Sequence, residues 1–340
     1  MFLLKKSKNR YEINEFSDII LNWCKGREKF LNVVSIPYNT TSFFVESILF
    51  LINNKYNILY ITNEDEKSIN IIQNIKKKSD FRQYSYIRKS KLNITSNFKV
   101  TNFNVAFNMN EKFDFIIYDD LSSYANINKE SIKDLILSKL NNKGKCIIYS
   151  IENLFSHSRS VYIPFKKDKM PIIEPRILLT RINISNEIPF IIYDYMKWSF
   201  QSKRKVIIYT PSYFISENLY NYFQNYISKT DMNIIIDMGL DSNKSLLNFK
   251  KMKEGIFITH LFYDEFSKLN NVDLIIYGSD KNKFNYKELI YLCGTVGRGE
   301  YDFKGEIIFL ANGETIHMEK AKNIIRGFNK EAWELGFLNI

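Results

Sequence analysis

The chain has 340 residues, of which 45% are hydrophobic and 15% aromatic, enough to bury two α/β-sized cores, which excludes disordered and collagen-like classes. Lys+Arg 48 against Asp+Glu 37 leaves a net charge of +11, which points to a polyanion or an anionic surface among the partners without fixing the chemistry. Cys24, Cys146 and Cys293 lie far apart with no CxxC spacing, which argues against a disulfide framework and a structural zinc site and fits a cytoplasmic location. The opening MFLLKKSKNR puts a short apolar stretch before its basic run, the reverse of a signal peptide. The most apolar window, 43–52, is short and carries Glu46, so no membrane span is expected. Short, non-alternating runs rich in Ile, Val, Phe and Tyr then recur at 30–35, 57–62, 113–118, 145–150, 205–210, 232–238, 255–259, 272–278 and 305–310. Strands covered by helices on both faces read this way. Helix-period segments lie between them at 42–52, 66–77, 129–140, 216–226 and 286–292, so the pattern is βαβα with parallel sheets. Residues 156–175 break it with Pro164, Pro171, Pro175 and the run Lys166, Lys167, Asp168, Lys169. We expect an N-terminal extension at 1–30, a first domain at 31–155, a linker at 156–180 and a second domain at 181–340.

Ligands of open parallel sheets bind beyond the carboxyl ends of the strands. After the first run, Ser35-Ile36-Pro37-Tyr38-Asn39-Thr40-Thr41-Ser42 leads into a helix, where a phosphate loop would lie. Glycines there would let backbone amides close on phosphate oxygens, and a lysine would reach the terminal phosphates. Here Pro37 has no amide donor, Asn39 carries a side chain and Thr40 has no charge. Thr40 and Thr41 are the nucleotide-binding candidates, Thr41 through a hydroxyl for magnesium; the plainer reading is a polar helix cap. After the third run, Asp119 and Asp120 form a carboxylate pair that either holds magnesium and orients a water or caps the strand end. Gly294-Thr295-Val296-Gly297-Arg298-Gly299 is a glycine-rich turn following a helix, which argues against a dinucleotide fingerprint and leaves Arg298 on a turn. His157, His260 and His317 are too scattered for a metal triad, and no metal site is expected.

Cations cluster at Lys5, Lys6, Lys8 and Arg10, at Lys76 to Lys78, at Arg82, Arg88, Lys89 and Lys91, and at Lys203 to Lys205. The segment 81–89 interleaves Phe81, Tyr84 and Tyr86 with Arg82, Arg88 and Lys89, as single-strand binders do when bases stack and phosphates are neutralised. The alternative reading of each cluster is a solvated face.

In order and spacing these positions resemble the late-competence ComFA family, DNA-dependent helicase-like ATPases of superfamily two that act in natural transformation. The resemblance runs from about Leu31 to the C-terminus. The family's LVWAVTGAGKTEML falls without a gap on residues 31–44, which puts Thr40 at the lysine position. Its FDLLIIDEVDAF-type motif falls on Phe113-Asp114-Phe115-Ile116-Ile117-Tyr118-Asp119-Asp120-Leu121, and its TATP motif on Ser150-Ile151-Glu152-Asn153. The proline pattern between the family's domains is met by Ile163, Pro164, Pro171 and Pro175. TTTILERG falls on residues 259–266, with Asp264, Glu265 and Phe266 in place of Glu-Arg-Gly. QIAGRVGR falls on Tyr291-Leu292-Cys293-Gly294-Thr295-Val296-Gly297-Arg298, and the closing stretch is met by Gly313, Thr315, Met318, Ala321, Ile325, Asn329, Ala332, Gly336 and Leu338. The four-cysteine zinc module of many members is missing.

The resemblance implies two RecA-like parallel-sheet domains facing across a cleft, with ATP held by the first and an arginine supplied by the second. It makes Asp119, Asp120 and Arg298 vestigial catalytic candidates: Asp120 stands where the family has a catalytic glutamate, and Thr295 replaces one of two arginines. Losses at loop, base and sensor fall on one reaction, so hydrolysis is expected to be absent or residual, and ATP and magnesium enter only if binding persists. Single-stranded DNA and proteins of the competence or DNA-uptake machinery are the implied partners, with attachment to the inner face of the membrane only through them. Two alternatives are a working divergent ATPase using Thr41, Asp119, Asp120 and Arg298, and a methyltransferase-like enzyme with Glu64 as ribose ligand. The second lacks a glycine-rich turn after the first strand and leaves the second half of the chain unexplained.

Overall fold

The structure, a computed structural model, describes residues 13–89, 96–166, 168–184, 187–227, 233–239, 242–298 and 305–338. They fall into two compact units, one within Met1–Pro171 and Phe328–Ile340 and the other within Ile172–Gly327.

The first unit is built on seven strands: β1 (Phe30–Ser35), β2 (Ile58–Thr62), β3 (Tyr84–Tyr86), β4 (Phe98–Thr101), β5 (Phe113–Asp119), β6 (Leu140–Ser150) and β7 (Arg159–Ile163). They lie in the order β3-β4-β2-β5-β6-β1-β7, each paired parallel to its neighbours. Parallel pairing needs crossovers, and these are α2 (Val45–Asn53), α3 (Asn70–Lys78), α4 (Phe103–Phe107) and α5 (Lys129–Lys139), with α1 (Ile13–Lys25) leading in. Central strands covered on both faces are apolar throughout, and every residue of β2 is buried. One face packs Leu59, Ile116 and Ile148 against Ile132, Leu135 and Ile136 of α5. Near α1, Phe16 packs on Phe43, Phe165 and Phe337. The Lys145 ammonium closes the end of α1, donating to the carbonyls of Trp23 (2.6 Å), Cys24 and Gly26 (both 3.0 Å).

The second unit carries β8 (Arg176–Leu179), β9 (Lys205–Tyr209), β10 (Ile234–Ile236), β11 (Gly255–Thr259), β12 (Val272–Tyr277) and β13 (Ile307–Ala311). The order is β10-β11-β9-β12-β13-β8, again parallel. Its helices are α6 (Phe190–Gln201), α7 (Tyr213–Ile227), α8 (Ser242–Lys251) and α9 (Tyr286–Cys293); α10 (Ile316–Glu334) begins in this unit and ends in the first. Arg204 grips the buried Asp273 with two bonds of 2.8 Å at the start of the sheet. Gly255 sits at φ 149 where a Cβ would come within 2.9 Å of the Asn233 carbonyl, so no other residue fits there without movement.

Four strands escaped the sequence pattern. β3, β7 and β8 are sheet edges with partly exposed residues, so their apolar runs are broken. β4 is fully buried but contains Lys99, which pairs with Glu111 and interrupts the apolar run. Two expected helices also start later than their periodicity: 42–44 and 66–68 are 3-10 turns that precede α2 and α3. Among the described residues no helix is long and apolar enough to cross a membrane.

Candidate functional site

In the first unit β1, β2, β5 and β6 end on one edge, and the connection from β1 to α2 lies there. That connection is tied down by its own atoms. Ser35 Oγ donates to the Ile163 carbonyl (2.6 Å), and Asn39, only 8% exposed, donates through Nδ2 to Ser35 Oγ (2.8 Å) and to the Phe165 carbonyl (3.0 Å). Both strapped carbonyls lie on or just beyond β7. Four loop amides have donors already in use. Tyr38 N–H bonds the Leu121 carbonyl (2.8 Å), Thr40 N–H bonds Asn39 Oδ1 (2.8 Å), Ser42 N–H bonds Thr40 Oγ1 (3.1 Å), and Phe44 N–H bonds the Thr41 carbonyl (3.1 Å). Tyr38 holds the left-handed backbone (φ 56) that this closure requires.

Thr40 Oγ1 donates to Ser42 Oγ (2.9 Å), and the Thr40 carbonyl accepts from the Tyr149 hydroxyl (3.1 Å). Thr41 is fully buried, and its hydroxyl oxygen accepts from Asn74 Nδ2 (3.0 Å) on α3. A phosphate cradle works by presenting free amides and a cation to the ligand. Here residues 35–44 carry no cation, and the four amides named above are already bonded within the protein.

At the end of β5, Asp119 is wholly buried and accepts four hydrogen bonds: from Tyr60 OH (2.5 Å), Leu121 N–H (3.1 Å), Ser122 N–H (3.0 Å) and Ser122 Oγ (2.6 Å). Burial raises its pKa, and the hydrogen bonds from Ser122 and Tyr60 oppose the rise. Asp120 is 4% exposed; its N–H bonds the Tyr149 carbonyl (2.9 Å), and the Tyr118 hydroxyl lies 3.5 Å from its Oδ1. Glu64, beyond β2, turns back on its own connection, accepting from Asn70 N–H (3.1 Å) and Asn70 Nδ2 (2.5 Å), so the ribose ligand of the methyltransferase alternative faces α3. Burial, then the charge of Asp119, pushes its carboxyl up to about 8. Magnesium wants carboxylate oxygens that water can share, whereas these are enclosed. Among the described residues no group of three or more His, Cys, Asp or Glu side chains is arranged to hold a metal ion. The residues present therefore do not fit a triphosphate with magnesium: the loop has no cation, four of its amides are bonded within the protein, the Thr41 hydroxyl meets Asn74, and Asp119 holds the turn after β5.

The cationic candidates separate along β3. Arg82 precedes the strand and closes the end of α3, donating to the carbonyls of Ser79 and Phe81 (both 2.8 Å) and Lys76 (3.3 Å). Arg88 and Lys89 follow the strand, at the edge where β1 and β5 end; both are exposed, and Arg88 pairs with Glu66 (2.7 Å). Helices antiparallel to the strands bring Lys76, Lys77 and Lys78 to the opposite edge with Arg82. Lys91 lies outside the described residues.

In the second unit Thr295 is buried and donates to the Leu292 carbonyl (2.6 Å), closing α9, while Arg298 Nε donates to the Gly294 carbonyl. The strand ends of this unit hold groups that the sequence reading passed over. Lys283 lies over the Tyr209 ring (4.5 Å) and donates to the carbonyls of Thr210 (3.2 Å) and His260 (2.6 Å); burial lowers its pKa. Buried Asp237 accepts from Thr259 Oγ1 (3.1 Å) and from the Tyr263 hydroxyl. The signal for these was only their position at or beyond the ends of apolar runs.

No protein-family model matches the sequence, and no curated protein does. Solved structures do match in fold. The chain is similar to S. cerevisiae Dbp5 bound to RNA and ADP BeF3 (10% identity, 89% of each chain, TM-score 0.54). It is similar to S. tokodaii Xpd4 (10% identity, 88% of this chain and 95% of that one, TM-score 0.54). It also matches the E. coli DExH-box NTPase HrpB (10% identity, TM-score 0.57), with 90% of this chain but only 41% of that one. The chain thus shares the α/β fold of these structures, each of its two units a RecA-like parallel sheet.

Proposed function

We propose that this chain is a ComFA-like, helicase-shaped nucleic-acid-binding protein that does not hydrolyse ATP, and that it binds single-stranded DNA or docks on DNA-uptake machinery at the inner face of the membrane. The carrying observation is the connection from β1 to α2, where the amides of Tyr38, Thr40, Ser42 and Phe44 are all bonded within the protein. A loop that must open before it can receive phosphate also lacks the lysine whose charge would reward the opening. The nucleic-acid part rests on the fold, on the surplus of +11, and on Arg88 and Lys89 at the ligand-binding edge. The reading retains 31–155 and 181–340 as the two lobes, joined through 156–180.

Calorimetry with ATP and magnesium, with and without single-stranded DNA, tests it beside a phosphate-release assay. The expected result is neither heat nor turnover with ATP, together with DNA affinity that falls steeply with salt. DNA-stimulated turnover lost in Arg298→Ala would establish the divergent ATPase instead. ATP-independent absence of any DNA binding at low salt would remove the nucleic-acid reading.

A further inference from the structure

Helix α6 carries large apolar residues on two arcs. Ile192 and Met196 lie in the core of the second unit with Val206 and Ile208. On the other arc Phe190, Ile191 and Trp198 are 71%, 52% and 48% exposed, and Asp194, Lys197 and Gln201 are exposed beside them. A surface helix ordinarily keeps its large apolar residues on the core-facing stripe, and one that is apolar all round is covered on both sides. Asp194 and Lys197 are the sole charged residues among the 12 of this helix.

The one acid and one base of the exposed arc allow a second copy to cover it. Phe190, Asp194, Lys197 and Gln201 follow one another at steps of four, three and four, which puts them on one stripe of the helix. Read in opposite directions, this stripe complements itself. A two-fold axis passing between Tyr195 and Met196 sets Asp194 of each copy against Lys197 of the other, and Phe190 against Gln201. The same axis keeps the flank bearing Ile191 and Trp198 on one side of both helices. There Ile191 of one copy lies about 3 Å along the axis from Trp198 of the other, at 1.5 Å per residue. Shifting the axis so that Asp194 met Asp194 would oppose like charges.

We propose that this chain self-associates through α6 as a two-fold, antiparallel helix pair held by reciprocal Asp194–Lys197 contacts and an Ile191–Trp198 apolar row. The contact is isologous, with the same patch on both copies, and so closes at two. One short helix per copy is a small interface, of the weak, transient class. The proposal is independent of the nucleic-acid reading.

Sedimentation equilibrium of the full chain, at protein concentrations spanning about 1 to 100 μM and low salt, tests it. The wild-type chain is expected to pass from monomer to dimer over this range. Asp194→Lys and Lys197→Asp alone are each expected to weaken association by about tenfold or more, because each opposes like charges twice. The double variant, Asp194→Lys with Lys197→Asp, is expected to restore it to within about threefold. All four positions of the seam are exposed, and circular dichroism confirms that the variants fold. A monomer at every concentration overturns the proposal, as does a dimer indifferent to either single reversal. Single reversals that weaken association without rescue in the double variant overturn the antiparallel register and with it the proposal.

Discussion

Replacing Asp119 separates a carboxylate that holds a turn together from one that waits for magnesium. Asp119→Ala removes the acceptor for two backbone amides and two hydroxyls, all in a buried turn. An orphaned buried donor costs about 1–3 kcal/mol. The Tyr60 and Ser122 hydroxyls can rotate toward other acceptors, whereas the Leu121 and Ser122 amides cannot. Relief of the buried charge offsets part of the loss, leaving a net destabilisation of about 3 kcal/mol. In a domain of this size that lowers the melting temperature by roughly 6–12 °C. Asp119→Asn keeps an acceptor for the amides and loses about 1 kcal/mol. The reporter is Trp23, 1% exposed and packed edge-on to Phe115 of β5 with centroids 6.1 Å apart. The chain has three tryptophans, so urea unfolding in a Trp198→Phe, Trp333→Phe background reads the unit that carries Asp119. Stability unchanged within about 1 kcal/mol in Asp119→Ala would refute the reasoning, since a carboxylate poised for a metal is not needed by the fold.

Further outcomes are accessible. Because the folded chain holds a proton on Glu64 up to about pH 8 that the unfolded chain releases near 4.5, stability falls as pH rises through that window. The slope is at most about 1.4 kcal/mol per pH unit. Denaturation midpoints across pH 5 to 9 check it, and Glu64→Gln flattens the curve. Lys89→Ala weakens single-stranded DNA binding and lowers its salt slope by about one, while Arg82→Ala leaves DNA affinity unchanged and loosens the end of α3; fluorescence anisotropy at several salt concentrations separates them. Lys145→Met removes three hydrogen bonds to the end of α1 and destabilises the first unit by about 2 kcal/mol in the same Trp23 assay, with a smaller loss overturning the assigned role.

Much of this molecule can be read without coordinates. The runs at 30–35, 113–118, 205–210, 255–259 and 272–278 lie on β1, β5, β9, β11 and β12 because a parallel strand covered on both faces needs nearly continuous apolar residues. Edge strands obey no such demand, which is why β3, β7 and β8 left no comparable trace. The missing lysine and glycines around Thr40 are equally plain, being a matter of residue identity at fixed spacing.

Composition and periodicity by themselves determined an α/β chain of parallel sheets, a cationic surplus, and the chemical character of the connection after β1. What only the tertiary structure decided is where that connection's polar atoms go. Asn39 meets the Phe165 carbonyl across 126 positions, and Thr41 meets Asn74 across 33. The splitting of Arg82 from Arg88 and Lys89 belongs to the same class, since it follows from the direction in which β3 runs. Hydrogen bonds act over about 3 Å, and which groups come within that distance is set by how distant segments pack.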